Sequence, residues 1–355
     1  METHYNCTST DWRELLNQSV IDAESLTQLF PIIDSSSIRF VLERYPMRIN
    51  PYVLSLIHNP CDPIWRQAIP DIRECKDSNH TPDPLSEEFQ SPVQGLIHRY
   101  PHRVLFQISD QCAMYCRHCM RKRITGKSLS YVTDLTISQG IDYIQKTTSV
   151  NEVVLSGGDP LILDDHRIEA ILSEISRITH IEIIRIHTRI PCVLPQRITL
   201  DLISILQRFQ PIYINIQFNH PDEITPEASF ACKLLADSGI ALGSQTVLLK
   251  GINDSPDIMK QLMMKLLKNR IKPYYLHHTD PVQGTHHFRT TIEKGLEIMK
   301  YLRGNISGMA IPNYMIDLPG GKGKVPLLPN YIVNKNKHMW IIENYSGELS
   351  EYDIM

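Results

Sequence analysis

The sequence predicts an α/β protein built on a partial (β/α)6 barrel. An N-terminal helical and irregular extension (residues 1–95) precedes the barrel (96–308), and a C-terminal strand and loop segment (309–355) follows it. Three observations lead there. From residue 104, six short β-branched runs alternate with six amphipathic stretches, the pattern of parallel strands joined by right-handed crossovers. The residues with chemistry to offer fall just after those runs, where barrel loops build active sites. A hydrophobic content of 42% is enough for a large core. Six units suit a partial barrel where eight would close a full one, and a doubly wound open sheet is the alternative from pattern alone.

Taken in order, Trp12–Leu16 and Ile38–Leu42 carry helix-like apolar spacing. Residues 59–95, rich in Pro, Asp and Ser, read as an ordered-to-loose connector. The strand runs are Val104–Ser109, Glu152–Ser156, Glu182–His187, Ile212–Phe218, Gly243–Leu249 and Lys272–His277. Helical stretches lie near 134–148, 164–178, 199–208, 224–238, 255–269 and 287–303. Beyond them, Met309–Ile316, Tyr331–Asn334 and Met339–Asn344 add strands around a Gly-rich loop.

Bulk properties narrow the function classes. With 36 Lys and Arg against 39 Asp and Glu, the net charge of −3 argues against a nucleic-acid partner. Membrane association is not expected, because no apolar run approaches spanning length. The polar Met1–Asp11 stretch lacks a signal-peptide core, so a reducing cytoplasm that keeps thiols free is the expected compartment.

The most specific motif is Cys112-x3-Cys116-x2-Cys119. Cuboidal iron–sulfur clusters take one thiolate per iron. Three close cysteines can hold three irons of a [4Fe–4S] cluster and leave the fourth open to a ligand, which implies chemistry rather than electron storage. Buried structural thiols are a poor reading, because Arg117, His118, Arg121, Lys122 and Arg123 surround them. Zinc is the better rival, but it wants four ligands, and Cys7, Cys61, Cys75, Cys192 and Cys232 are isolated.

Other segments gain weight from this context. Ser156-Gly157-Gly158-Asp159-Pro160 closes a strand, where glycines allow close backbone approach and exposed amides or carbonyls can bind a ligand. Pro319-Gly320-Gly321-Lys322-Gly323-Lys324 lacks the Ser or Thr of a phosphate-binding loop, because Val325 follows the last lysine. It reads either as a basic surface loop or as a lysine presented for Schiff-base chemistry with pyridoxal phosphate (PLP). Arg99 and Arg103, four apart, can grip a phosphate. Asp280 and Asp317 flank strands; they either cap turns or converge on one ammonium group. His220 follows the fourth strand.

Tyr115-Cys116 within the triplet resembles the radical S-adenosylmethionine (SAM) superfamily. The stretches His98–Arg123, Val154–Leu161, Arg185–Thr199, Phe218–Thr225, Gln245–Asp254, Pro273–Arg289 and Arg303–Tyr331 resemble the lysine 2,3-aminomutase family within it. The first 95 residues do so only loosely. The resemblance implies a radical SAM barrel with a [4Fe–4S] cluster, SAM and PLP, and conversion of L-lysine to β-lysine by a radical shift of nitrogen from C2 to C3. It implies that Cys112, Cys116 and Cys119 hold the cluster and that Lys324 carries PLP. Arg99, Tyr100, Arg103 and Gln245 would surround PLP. Ser156, Gly157, Gly158, Asp159 and His220 are expected at the SAM side. Arg121 would meet the substrate carboxylate, and Asp280 with Asp317 its side-chain ammonium.

The chain departs from long family members, which carry C-terminal cysteines and a zinc site. Here no cysteine follows Cys232 and Ser255 stands where such members have one, so no zinc is expected. Lys322 replaces a common glycine and rivals Lys324. Further expectations are a cytosolic electron donor, a chain able to form a homo-oligomer, and a link to β-lysylation of elongation factor P, as in shorter bacterial relatives. The competing functions are an aminomutase for another amino acid such as arginine and a non-catalytic iron–sulfur redox protein. Glutamate would be repelled by the paired aspartates.

Overall fold

The computed structural model describes residues 11–77, 79–127 and 131–354. The polar stretch before residue 11, with Cys7, lies outside the described residues. A curled sheet of nine strands runs in strict chain order. It comprises β1 (Leu96–Tyr100), β2 (Arg103–Ser109), β3 (Glu152–Gly157), β4 (Ile183–Thr188), β5 (Ile212–Ile216), β6 (Ala241–Leu248), β7 (Lys272–His278), β8 (Asn313–Asp317) and β9 (Lys324–Pro326). The pairs from β2 to β8 are parallel; β1 and β9 are antiparallel edges.

All six expected barrel strands form, with ends shifted by one or two residues. The ladder, however, continues past the expected boundary at 308. Strand β8 pairs parallel with β7 (Tyr275 opposite Asn313, His277 opposite Met315), so the barrel has seven parallel strands. The physical reason is the helix over 292–302, which is an ordinary crossover. Its Ile298, Met299 and Leu302 are buried, and it returns the chain to the sheet. Farther on, β10 (Ile332–Lys335), β11 (Met339–Glu343) and β12 (Leu349–Asp353) form a separate antiparallel sheet.

Side chains join the two edges of the main sheet. The Lys324 backbone N–H in β9 donates to the Tyr100 hydroxyl in β1 at 2.9 Å, and the Arg99 guanidinium in β1 stands 3.6 Å from the Asp317 carboxylate in β8. The barrel is thus incomplete as a ladder yet bridged at its mouth.

The helices follow from caps and apolar stripes. In the extension lie α1 (Trp12–Asn17), α2 (Ala23–Leu29), α3 (Ser35–Leu42), α4 (Pro51–Ser55) and α5 (Pro63–Ala68). Asp11, Asp22, Asp34, Asn50 and Asp62 cap them through side-chain oxygens that accept early N–H groups. Around the sheet are α6 (Asp134–Lys146), α7 (Asp165–Ser176), α8 (Ile190–Val193), α9 (Leu200–Gln207), α10 (Pro226–Asp237), α11 (Pro256–Lys268) and α12 (Ile292–Leu302). Thr133, Thr199, Thr225 and Thr291 cap α6, α9, α10 and α12 in the same way. In α11, Met259, Leu262, Met263 and Leu266 form the one buried stripe that a 3.6-residue period dictates.

Residues 59–95 fall at the ordered end of the connector that their composition suggests. Glu74 is fully buried and pairs with Arg117 at 2.5 Å and Lys122 at 2.6 Å, both from the cysteine loop. Desolvation would push this carboxyl up, but the two cations hold it below its ordinary value. Two opposite charges on one buried acid tie the extension to the barrel.

Candidate active site

The loops after the parallel strands enclose a cavity of about 280 Å³. Its wall contains Cys112, Cys116 and Cys119, then Ser156 to Asp159, and on the far strands Gln245, Asp280, Asp317 and Lys324. Arg99, Tyr100, Arg103 and Arg121 also line it. One surface therefore gathers every site residue expected from sequence except His220.

His220 stands just behind that surface. It lies outside the wall because β5 ends at Ile216, earlier than the apolar run suggests, and the chain then folds into a 3-10 turn over Pro221–Glu223. The His220 ring caps that turn, accepting the Asp222 N–H at 3.3 Å and facing the Asp222 carboxylate at 3.2 Å.

The cysteine loop is fixed by its neighbours. Tyr115 N–H donates to the Arg48 carbonyl at 3.1 Å and Arg117 N–H to the Gln67 carbonyl at 2.9 Å. From the glycine segment, Gly158 N–H donates to the Ser109 carbonyl at 2.6 Å and Asp159 N–H to the Gln111 carbonyl at 2.7 Å. These amides serve the cysteine loop rather than a ligand. A Cβ on Gly158 would sit 2.3 Å from the Gln111 oxygen, and one on Gly157 (φ +125°) 2.1 Å from the Ser109 oxygen. The glycines are thus set by backbone against backbone. Buried Asp159 accepts from the Thr188 hydroxyl at 2.7 Å and the Arg189 N–H at 2.6 Å. Desolvation raises its carboxyl despite these donors.

Desolvation also raises the Cys112 thiol, followed by Asp159 and then the other two thiols; Cys119 is raised by desolvation and by Cys116. Iron binding at Cys112 and Cys119 must therefore displace protons. Among the described residues, no three His, Cys, Asp or Glu side chains converge on one metal-ion position. A cuboidal cluster needs no such convergence, since each thiolate takes its own iron. Three cysteines lining one cavity fit that demand.

The other end of the site is set by β7, β8 and β9. The Lys324 ammonium forms an ion pair with the Asp317 carboxylate, and Asp280 stands close enough to feel both. Desolvation, reinforced by Asp317, pushes the Asp280 carboxyl up to about 7, while Lys324 pulls it down. Lys322 is exposed and lies outside the wall; Lys324 is half-buried within it. Arg103 lies over the Tyr100 ring, 4.4 Å from its centroid. Arg99 is engaged more than expected, donating to Gln90 at 2.7 Å and to the Leu85 carbonyl at 3.2 Å. A lysine, two arginines and a tyrosine suit the aldehyde and phosphate of PLP.

Several site residues carried no signal in isolation. Arg189 donates to Cys116 Sγ at 2.7 Å, and Glu223 and Gln67 hold it, each at 2.7 Å. His187 and His277 line the wall and are lowered by desolvation. The buried Nε of Arg185 and of Arg189 makes no hydrogen bond within the described protein. Arg185, His187 and Arg189 fall in the stretch 185–199 that carries the resemblance, but only the curl of the sheet aims them inward.

A curled parallel sheet with three cysteines after its first parallel strand defines a radical SAM enzyme, and residues 106–262 match the model of the radical SAM superfamily. Residues 299–354 match the model described as lysine-2,3-aminomutase. The L-lysine 2,3-aminomutase of Acetoanaerobium sticklandii is 44% identical over 97% of this chain and 84% of that protein. A putative L-lysine 2,3-aminomutase of Aquifex aeolicus is 50% identical over 87% of this chain and 85% of its own length. The glutamate 2,3-aminomutase of Clostridioides difficile is 40% identical over 97% of this chain and 83% of its own length. The chain belongs to the lysine 2,3-aminomutase family. It is a radical SAM isomerase, with a [4Fe–4S] cluster, SAM and PLP as cofactors.

Proposed function

We propose that this enzyme converts L-lysine to β-lysine. The observation that carries the reading is the pair Asp280 and Asp317 at the Lys324 end of the cavity. Asp317 already accepts an ammonium on a four-carbon stem, that of Lys324. A glutamate side chain would place a third carboxylate beside these two, at a Coulombic cost that a lysine ammonium turns into attraction. The pair therefore favours lysine over glutamate as the substrate.

When bound, the cluster and SAM supply a 5′-deoxyadenosyl radical that removes hydrogen, and PLP supplies the π-system through which nitrogen moves from C2 to C3. Cys112, Cys116 and Cys119 hold the cluster, and Lys324 holds PLP, with Arg99, Tyr100, Arg103 and Gln245 around it. Ser156 to Asp159 shape the SAM side. Arg121 receives the α-carboxylate, while Asp280 and Asp317 hold the distal ammonium, so C3 is fixed from both ends. We place the enzyme in the cytoplasm with a cytosolic electron donor, and its β-lysine as a supply for elongation factor P.

The test is anaerobic reconstitution with iron, sulfide, PLP, SAM and dithionite, followed by L-lysine. β-Lysine is expected, and Asp280→Asn with Asp317→Asn should abolish it. Turnover of glutamate or arginine in preference to lysine would overturn the reading.

A further inference from the structure

Glu87 lies in the segment before β1, outside the family's cysteine, glycine and lysine motifs, yet it lines the catalytic cavity and is 4% exposed. Its two carboxylate oxygens accept from Arg121, Nη2 at 2.8 Å and Nε at 3.1 Å. This is the bidentate fork that fixes a guanidinium in both position and plane. With those edges occupied, Nη1 is the remaining nitrogen, and its donations, to Ser156 Oγ at 3.3 Å and to the Gly157 carbonyl at 3.5 Å, are the longest the guanidinium makes and the ones a ligand carboxylate can replace.

The same segment braces the lysine loop. Gln90 donates to the Gly321 carbonyl at 3.1 Å, and Gly320 N–H donates to the Pro84 carbonyl at 2.9 Å. A Cβ on Gly321 would sit 2.5 Å from the Leu85 oxygen, so the two backbones are in close contact. Ser86 takes φ +51°, left-handed for a residue with a side chain, next to Glu87. Residues 84–90 thus touch both the arginine at one end of the substrate and the loop that carries Lys324.

We infer that Glu87 is a positioning residue: by clamping two edges of the Arg121 guanidinium it presents Nη1 alone to the substrate's α-carboxylate, and so sets affinity for amino acids over simple diamines. This rests on the lysine reading above. Glu87 also faces Arg123 at 3.3 Å, but Arg123 is shared with Asp83 at 3.4 Å and Glu88 at 3.1 Å, so Arg121 is the guanidinium that depends on Glu87.

The experiment uses the reconstituted holoenzyme and reads ligand binding from the PLP absorbance, without turnover. L-Lysine and 1,5-diaminopentane, which lacks only the carboxylate, are titrated into wild type, Glu87→Gln and Glu87→Asp. Loss of one charge-assisted clamp is expected to weaken L-lysine binding about tenfold or more in Glu87→Gln and to leave diaminopentane within about twofold of wild type. Glu87→Asp, which keeps the charge, should fall between. Equal weakening of both ligands would make Glu87 merely structural and overturn the proposal, as would no weakening of either. A wild-type enzyme that binds diaminopentane but not L-lysine would sink the lysine reading itself and this proposal with it.

Discussion

Asp280 should make lysine binding depend on pH near neutrality. Its carboxyl is raised from 3.8 to about 7 by desolvation first and by Asp317 second; Lys324 lowers it, Glu87 raises it and Arg99 lowers it more weakly. The shift of about three units corresponds to ~4 kcal/mol against ionisation in the ligand-free site. Binding the lysine ammonium requires the ionised form. With a value near 7, roughly one tenth of the sites are ionised at pH 6 and roughly nine tenths at pH 8, so L-lysine should bind about tenfold tighter at pH 8. Asp280→Asn removes the titration. Its affinity should be flat over this range and, at pH 8, about 10- to 100-fold weaker than wild type. The linkage sign is opposite for stability. Between about pH 4 and pH 7 the folded protein keeps a proton that the unfolded chain has lost, so this group's contribution to stability falls as pH rises through that window. Asp280→Asn should therefore melt higher than wild type at pH 8 without ligand. The assays are PLP-absorbance titration with L-lysine at pH 6, 7 and 8 and thermal melting of the ligand-free protein. Proton steps at PLP or at the α-amine are common to both proteins, so the difference between them isolates Asp280. A variant that keeps the tenfold change would refute the reasoning.

Three further outcomes follow from the geometry. Lys324→Ala should abolish the Schiff-base absorbance of the PLP-loaded protein and Lys322→Ala should leave it, because only Lys324 lines the cavity; the reverse pattern would show that the wrong lysine is assigned. Gly158→Ala should lower the iron bound per chain after reconstitution, since its Cβ would push on Gln111, the residue before Cys112; full iron content would show that the loop yields at no cost. Glu74→Gln leaves Arg117 and Lys122 as buried cations without their shared anion. A loss of about 3–5 kcal/mol in denaturant unfolding is expected, and a loss under about 1 kcal/mol would show that Glu74 is not the tie between extension and barrel.

The barrel was legible because its strands and helices carry local signals: β-branched runs bounded by turns, and threonine caps before apolar stripes. The site was legible where a motif is short in sequence, as in the cysteine triplet and the Gly-rich lysine loop. What failed to show has a common cause. Strand β8 carries no local sign that it belongs to the barrel, because strand membership is decided by pairing with β7, two elements earlier. Position after a strand points to His220, but its distance from the cavity wall depends on where β5 stops, two residues before the apolar run does.

The extension is the larger case. Its composition is that of a connector, yet Glu74 and Glu87 each neutralise cations that the cysteine loop brings in, Arg117 and Lys122 for one, Arg121 and Arg123 for the other. A basic run around three cysteines has to be held by something, since four cations cannot be enclosed without anions. Two of the anions come from 34 to 48 positions upstream, a distance at which no periodicity reports. The excess of charge in Arg117–Arg123 was the available signal. Read as a demand for buried acids rather than as a solvated surface, it points into the Pro- and Asp-rich segment before β1 and makes that segment part of the catalytic barrel.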